Sequence, residues 1–322
     1  MHLSTWLMVL VAGSLVACEK PNPARPAAPT VSAKSPGTAS ASAEQVAKEA
    51  RGGVDCPAPI KSQRPSGAPV DDVIGARPGM TYEEAFNVVL CTHAFLVPQL
   101  DPTRGFTIQS YGQKLRQGFG ARSAAPRVER TAKRVSADSL DDMLARGGNA
   151  VREDLQPGQA KWFVGTLGLP GQERVINVAR EERFEAGANP TVSSVEKALL
   201  DKYGKPTKQQ NTTSAQRYLT WSYDPAGRLV SEGSPLFNRC SGNASPDGGV
   251  RLSPDCGIVV MAIVFPLRDN PDLAGSLQVG VVNQAGSYEL LGATEKALQA
   301  AEQQRRATQT EQAAKNATAP RL

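Results

Sequence analysis

The sequence predicts an α+β fold: an antiparallel β-sheet packed with a few helices and stapled by disulfides. Three observations carry this. Apolar runs of strand length are separated by Gly, Pro, Asn and Asp turns. Two segments carry capping residues followed by apolar side chains at helical spacing. Downstream of Cys18 stand Cys56, Cys91, Cys240 and Cys256, an even set in a chain whose start reads as a secretion signal.

In chain order, the first helix is predicted from Thr81 to Val97. Thr81 and Glu84 give the T-x-x-E capping-box spacing, and Phe86, Val89, Leu90, Phe95 and Leu96 make the segment apolar enough to be buried. Phe106, Ile108 and Tyr111 then suggest a strand, Val128 and Val135 another, and Ala137–Arg146 a helix stopped by Gly147 and Gly148. Trp162–Leu167 and Arg174–Phe184 read as a hairpin around the Gly168–Gln172 turn. A helix from Ser193 to Tyr203 has Ser193 and Glu196 as its box, ends at Gly204, and cannot pass Pro206. Leu219, Trp221 and Tyr223 alternate as a strand, Asp224–Gly227 turns, and Leu229–Val230 begins the return. Ile258–Phe265 is almost wholly apolar and reads as a central strand with Leu277–Val282 beside it. From Leu290 to Thr310 the tail has helical spacing, with its end solvated. Four cysteines allow three pairings; Cys56–Cys91 and Cys240–Cys256 are favoured as nearest in sequence.

The stretch Leu7–Val16 is apolar except for Gly13 and Ser14, and is shorter than the ~20 residues a bilayer span needs. It ends in Leu15-Val16-Ala17-Cys18, which resembles the lipobox of bacterial lipoproteins. The resemblance implies that residues 1–17 are a signal peptide and that Cys18 is the lipidated N-terminus. Glu19, by the same resemblance, points to the outer membrane, facing the periplasm, over inner-membrane retention. More than one acyl chain gives stable anchoring. Pro21, Pro23, Pro26, Pro29 and Pro36 mark residues 18–52 as a disordered tether, poor in large apolar groups. Residues 53–291 then form the α+β domain, with subdomains near 53–150 and 151–291 as one option, and 292–322 a helical or disordered tail.

The chain of 322 residues carries a net charge of +5 with a pI near 9.0. The excess gathers at Arg104, Lys114, Arg116, Arg122, Arg127, Arg130, Lys133 and Arg134, against Glu129 alone. This set is a candidate surface for an anionic partner: lipopolysaccharide phosphates, glycans or an acidic protein. A solvated loop explains it as well. Nucleic acid is excluded by compartment and by few aromatics for base stacking.

Gly75-Ala76-Arg77-Pro78-Gly79-Met80-Thr81-Tyr82-Glu83-Glu84-Ala85 resembles the G-x-x-x-G-M-T-x-E-E opening of BamE (SmpA/OmlA)-type outer-membrane assembly lipoproteins. Leu199–Pro206, followed by Trp221-Ser222-Tyr223, resembles their helix end and W-x-Y strand. The β-lactamase-inhibitor-like fold shares this helix-then-sheet plan. The resemblance implies helices layered on an antiparallel sheet and carries across no catalytic residue.

Chemistry is sparse. His93 is the one histidine beyond the signal and reads as a core or boundary residue. No nucleophile-elbow, zincin or phosphate-loop spacing occurs, and no C-x-x-C pair, so neither a metal nor a cofactor is expected. Gly165, Gly168 and Gly171 read as turn glycines, and Asp141-Asp142 and Glu181-Glu182 as solvated acids. The functional expectation is a non-enzymatic, membrane-anchored periplasmic lipoprotein that binds another envelope protein. The alternative is an inhibitor or immunity lipoprotein that blocks a periplasmic toxin or hydrolase. A hydrolase working through carboxylates alone is the third reading.

Overall fold

A computed structural model of the chain describes residues 42–99, 106–124 and 155–317. The predicted Val128/Val135 strand and the Ala137–Arg146 helix lie outside them, as do residues 1–41 with Cys18. Among the described residues, eight strands pair into one antiparallel sheet: β1 (Leu96–Gln99), β2 (Gly118–Ser123), β3 (Ala160–Leu167), β4 (Arg174–Arg183), β5 (Lys208–Asn211), β6 (Arg217–Ser222), β7 (Ile258–Pro266) and β8 (Ala274–Asn283). The helices are α1 (Ala43–Arg51), α2 (Tyr82–Leu90), α3 (Val192–Tyr203) and α4 (Gln284–Asn316).

The strand order β1-β2-β3-β4-β8-β7-β6-β5 reads the same from either edge. Each half is a helix followed by four strands, and the halves meet where β4 pairs with β8. The two helix starts repeat one device. Thr81 caps α2 by accepting the Glu84 N–H at 3.1 Å, and Thr191 caps α3 by accepting the Ser194 N–H at 3.1 Å. Beside each cap the backbone joins the sheet: Val175 N–H to Met80 O, and Ala274 N–H to Pro190 O, both at 2.8 Å. The cap on α3 is thus Thr191 and not Ser193. Glu196 turns away from the expected box and pairs with Arg217 at 3.5 Å.

Alternation along the strands sorts the two faces. On the first, Phe119, Trp162, Val164, Val178, Leu219 and Trp221 pack under α2 and α3. Met80, Val89 and Leu90 close the core from one half, and Val195, Leu199 and Tyr203 from the other. The Trp221 indole donates to Gly204 O at 2.8 Å, so burying it leaves no orphan donor. The second face carries Phe163, Asn177, Gly280 and Val282, and the segment between β6 and β7 crosses it. Gly280 is required there: a Cβ would lie 2.0 Å from Asn243 O and 3.0 Å from Ala244 Cα.

Both favoured disulfides form. Cys56–Cys91 ties the loop before α2 to the end of that helix, and Cys240–Cys256 closes the crossing segment over Val259 and Val282. A loop of the latter size gains ~3 kcal/mol from chain entropy alone.

Several expectations need correction. The helix predicted to Val97 stops at Leu90, because His93 Nδ1 takes the Phe95 N–H at 3.1 Å and the apolar Leu96 begins β1. His93 itself is exposed, not a core residue. The expected tether 18–52 ends in a helix, α1, which packs beside β1 with Ala47 buried. Arg51 explains its place, donating to Leu90 O at 2.9 Å and Ala94 O at 2.7 Å, carbonyls that the end of α2 leaves open. Residues 106–110 form no strand; the strand is β2, whose Gly118 and Gly120 hid it from propensity. The boundary at 291/292 falls inside α4, which Asn283 caps by accepting the Gly286 N–H at 3.0 Å. Residues from 53–150 and 151–291 share one sheet through the β2–β3 pair, so they are not separate subdomains. No helix among the described residues is long and apolar enough to cross a membrane.

Candidate functional site

The second face holds a cavity of about 510 Å³, within the ~300–1,000 Å³ common for ligand sites. Its floor is an irregularity in the β3–β4 pair. Gly165 faces Asn177, but Thr166 already faces Val175, so Ile176 is an extra residue on β4. Such a bulge re-aims side chains locally. Ile176 and Asn177 both line the cavity. Gly165 permits this arrangement, since a Cβ there would lie 2.2 Å from Asn177 Oδ1. Gly165 is therefore a strand residue with a packing role, not a turn glycine.

One wall is the segment before β2, which contributes Phe106, Thr107 and Gln117. It is tied to β3 by the Thr166 hydroxyl, which donates to Arg116 O at 2.6 Å, and by Thr166 N–H to Gln117 O at 3.1 Å. The roof is Asp247, Gly248, Gly249 and Val250 from the disulfide loop. That loop is shaped from within: the Asn243 amide donates to Gly249 O at 2.9 Å and accepts the Ser245 N–H at 3.0 Å. Lys161 on β3 clamps its tip through an ion pair with Asp247, and also meets Glu181 at 3.4 Å.

The polar lining is unusual. Asn177 is 7% exposed, and its Oδ1 has no hydrogen-bond partner. Gln117 Oε1, on the segment before β2, is also buried and unpartnered. A buried acceptor left unsatisfied costs ~1–3 kcal/mol. Both oxygens are sealed off, so an occupant meets chiefly the apolar surface of Phe106, Phe163, Ile176 and Val250.

Of the predicted basic surface, Lys114, Arg116 and Arg122 fall among the described residues. Arg104, Arg127, Arg130, Lys133 and Arg134 lie outside the described residues. Lys114 is exposed. Arg122 lies on β2 opposite Lys161, half-buried and itself partnered. Arg116 is engaged within the fold: it grips Glu173 at 3.0 and 2.7 Å, meets Glu83 at 2.7 Å, and stacks on the Tyr82 ring at 4.3 Å. The Glu173 hydrogen bonds, with lesser help from Glu83, push the Arg116 guanidinium above its ordinary value. Burial would raise the Glu173 carboxyl, but the bonds from Arg116 and backbone N–H groups hold it below the usual range. Arg116 thus fastens the segment before β2 to α2, with its nitrogens already engaged by Glu173 and Glu83. Glu181 and Glu182, expected to be solvated, engage Lys161 and Arg180.

Among the described residues, no three His, Cys, Asp or Glu side chains gather in a way that could hold a metal ion. No known protein family, curated protein or solved structure matches this chain. The site must be read from its own chemistry.

Proposed function

We propose that this chain is a lipid-anchored binding module of the bacterial envelope, which holds a protein partner at the second-face cavity. Cys18 carries the lipid, on the periplasmic side of the outer membrane, and the Pro-rich stretch before α1 sets the reach. The observation that carries the binding reading is the cavity: preformed by a β-bulge, roofed by a disulfide loop, and walled by Phe106, Phe163, Ile176 and Val250. A rigid, partly apolar hollow of this kind anchors side chains of a partner at low entropic cost. The resemblance of residues 75–85 to assembly lipoproteins supports the envelope setting.

A photo-crosslinker placed at Thr107 or Val250, on the cavity wall and roof, is expected to capture one defined envelope protein in cells. A control crosslinker at exposed Lys205 is expected not to. Equal capture from both positions, or none from either, overturns the reading. If the captured protein is a hydrolase or toxin that loses activity on binding, the module acts as an inhibitor. Cys18→Ala is expected to abolish acyl labelling and release the chain from membranes; persistent labelling refutes the anchor.

A further inference from the structure

We propose that the Cys56–Cys91 disulfide is a thiol-exchange site, opened selectively by a dithiol reductant, with Cys56 as the leaving sulfur. The lining of the second-face cavity includes neither cysteine, so the site is a separate one.

The two disulfides sit in opposite surroundings. Cys240 and Cys256 are 2% and 1% exposed, and Val259 and Val282 pack against them. Cys56 is exposed and Cys91 half-buried. An attacking thiolate must reach a sulfur, so access decides which bond is open to exchange.

Charge then sets the direction. Arg51 Nη2 donates to Cys56 Sγ at 3.4 Å. The same guanidinium donates to Leu90 O and Ala94 O, and among the described residues none of its bonds goes to a carboxylate. Its charge therefore stays available to the sulfur. A cation beside a cysteine lowers the thiol pKa, and a sulfur that makes the better thiolate leaves faster. Cys91 has the contrary setting. It ends α2, where open carbonyls gather partial negative charge, and its Sγ lies 3.6 Å from Asp55 O. A thiolate forms less readily there.

The reaction follows from this contrast. One thiolate of the reductant attacks Cys91 Sγ, the S–S bond breaks, and its electron pair passes to Cys56 beside Arg51. The mixed disulfide on Cys91 is resolved by the reductant's second thiolate, which expels Cys91. Two electrons have moved from the dithiol to the protein, and the reductant leaves as a disulfide. Its two protons end on the cysteines or, where Arg51 holds Cys56 as thiolate, in the solvent. The bond closes the segment after α1 onto the end of α2, so opening it loosens the join between the Pro-rich stretch and the domain.

The test treats the full chain in detergent micelles with dithiothreitol at neutral pH and quenches with N-ethylmaleimide. Peptide mass spectrometry assigns the labelled cysteines. Cys56 and Cys91 are expected to be labelled at least about tenfold sooner than Cys240 and Cys256. With glutathione, a monothiol, the first adduct is expected on Cys91 and the maleimide on Cys56. Arg51→Ala is expected to slow the opening about threefold or more, and Arg51→Lys, which keeps the charge, to restore much of the rate. A merely structural role for Arg51 has the opposite sign, since loosening α1 exposes the bond and speeds its reduction. Equal rates for the two disulfides overturn the proposal. So does a first adduct on Cys56, or an Arg51→Ala variant reduced as fast as the wild type or faster. With this bond alone open, amide exchange in α1 is expected to rise; unchanged protection there refutes the loosening.

Discussion

Glu84 shows how much one carboxylate can organise. It accepts the Lys61 N–H at 2.6 Å, the Ser62 N–H at 2.7 Å and the Ser62 hydroxyl at 2.5 Å, at 8% exposure. Burial alone would raise its carboxyl, but the bonds from Ser62 and Lys61 outweigh it and hold the group below the ordinary value of 4.5. A carboxyl lowered by folding contributes stability that is fully present above the ordinary value and is lost as pH falls through the folded one. Glu173 acts in the same direction, and buried Asp71, whose carboxyl is raised, works against it. Glu84→Gln is expected to cost ~1–3 kcal/mol near neutrality, as buried charged bonds do. It is also expected to flatten the acid limb below about pH 4.5. Denaturant melts at neutral and acid pH check both; an unchanged acid limb would show that the bonds to Lys61 and Ser62 do not set the acid sensitivity. Gly280 makes a steric counterpart. With Asn243 O 2.0 Å from an added Cβ, Gly280→Ala must lift the disulfide loop from the sheet. Overpacking of this sort costs ~1–3 kcal/mol, and thermal melts of the variant should show it, with hydrogen exchange rising across the loop between Cys240 and Cys256.

At the scale of elements, α1 and the disulfide loop are attachments whose fastenings can be cut singly. Arg51→Ala removes the donors to Leu90 O and Ala94 O. The expected result is faster amide exchange in α1 and at the end of α2, with the sheet unchanged; equal protection would show that Ala47 packing alone holds the helix. Cys240→Ser with Cys256→Ser opens the roof, and is expected to lower stability by ~3 kcal/mol. It should also abolish partner capture from Val250. Some of these elements could be read in advance. The disulfides followed from nearest spacing, since short loops close most readily, and Thr81 was legible because a capping threonine precedes an apolar run. Others were not. Asn283 closes β8 and caps α4 at once, so no break marked the junction. Leu96 continued the apolar run of α2, and the backbone bond taken by His93 leaves no trace in composition. The cavity was least legible of all. Gly165 resembled the turn glycines nearby, and Asn177 an ordinary polar strand residue; only the bulge sets them against each other.

At the scale of the whole molecule, the symmetric strand order decides how stability is shared. Each half is a helix and four strands, yet neither half closes its own sheet: β4 and β8 are interior strands only because they pair with each other. The seam joins Val178 to Val281 and Arg180 to Val279, and the core beneath it runs without a break from Met80 to Tyr203. Cutting there exposes two long edges rich in valine, which associate with other chains. The halves should therefore unfold together, as one cooperative unit. Trp162 lies in the first half and Trp221 in the second, both buried. In Trp162→Phe and Trp221→Phe variants, the remaining tryptophan of the pair reports on its own half. Their denaturant midpoints, each corrected for the substitution by circular dichroism of the same variant, are expected to coincide. A fluorescence midpoint that departs from the dichroism midpoint in either variant would show that the halves unfold separately and that the seam is an interface between independent domains. Coincidence would mean that an occupant of the cavity, which touches β3, β4 and the β6–β7 loop, stabilises both halves at once.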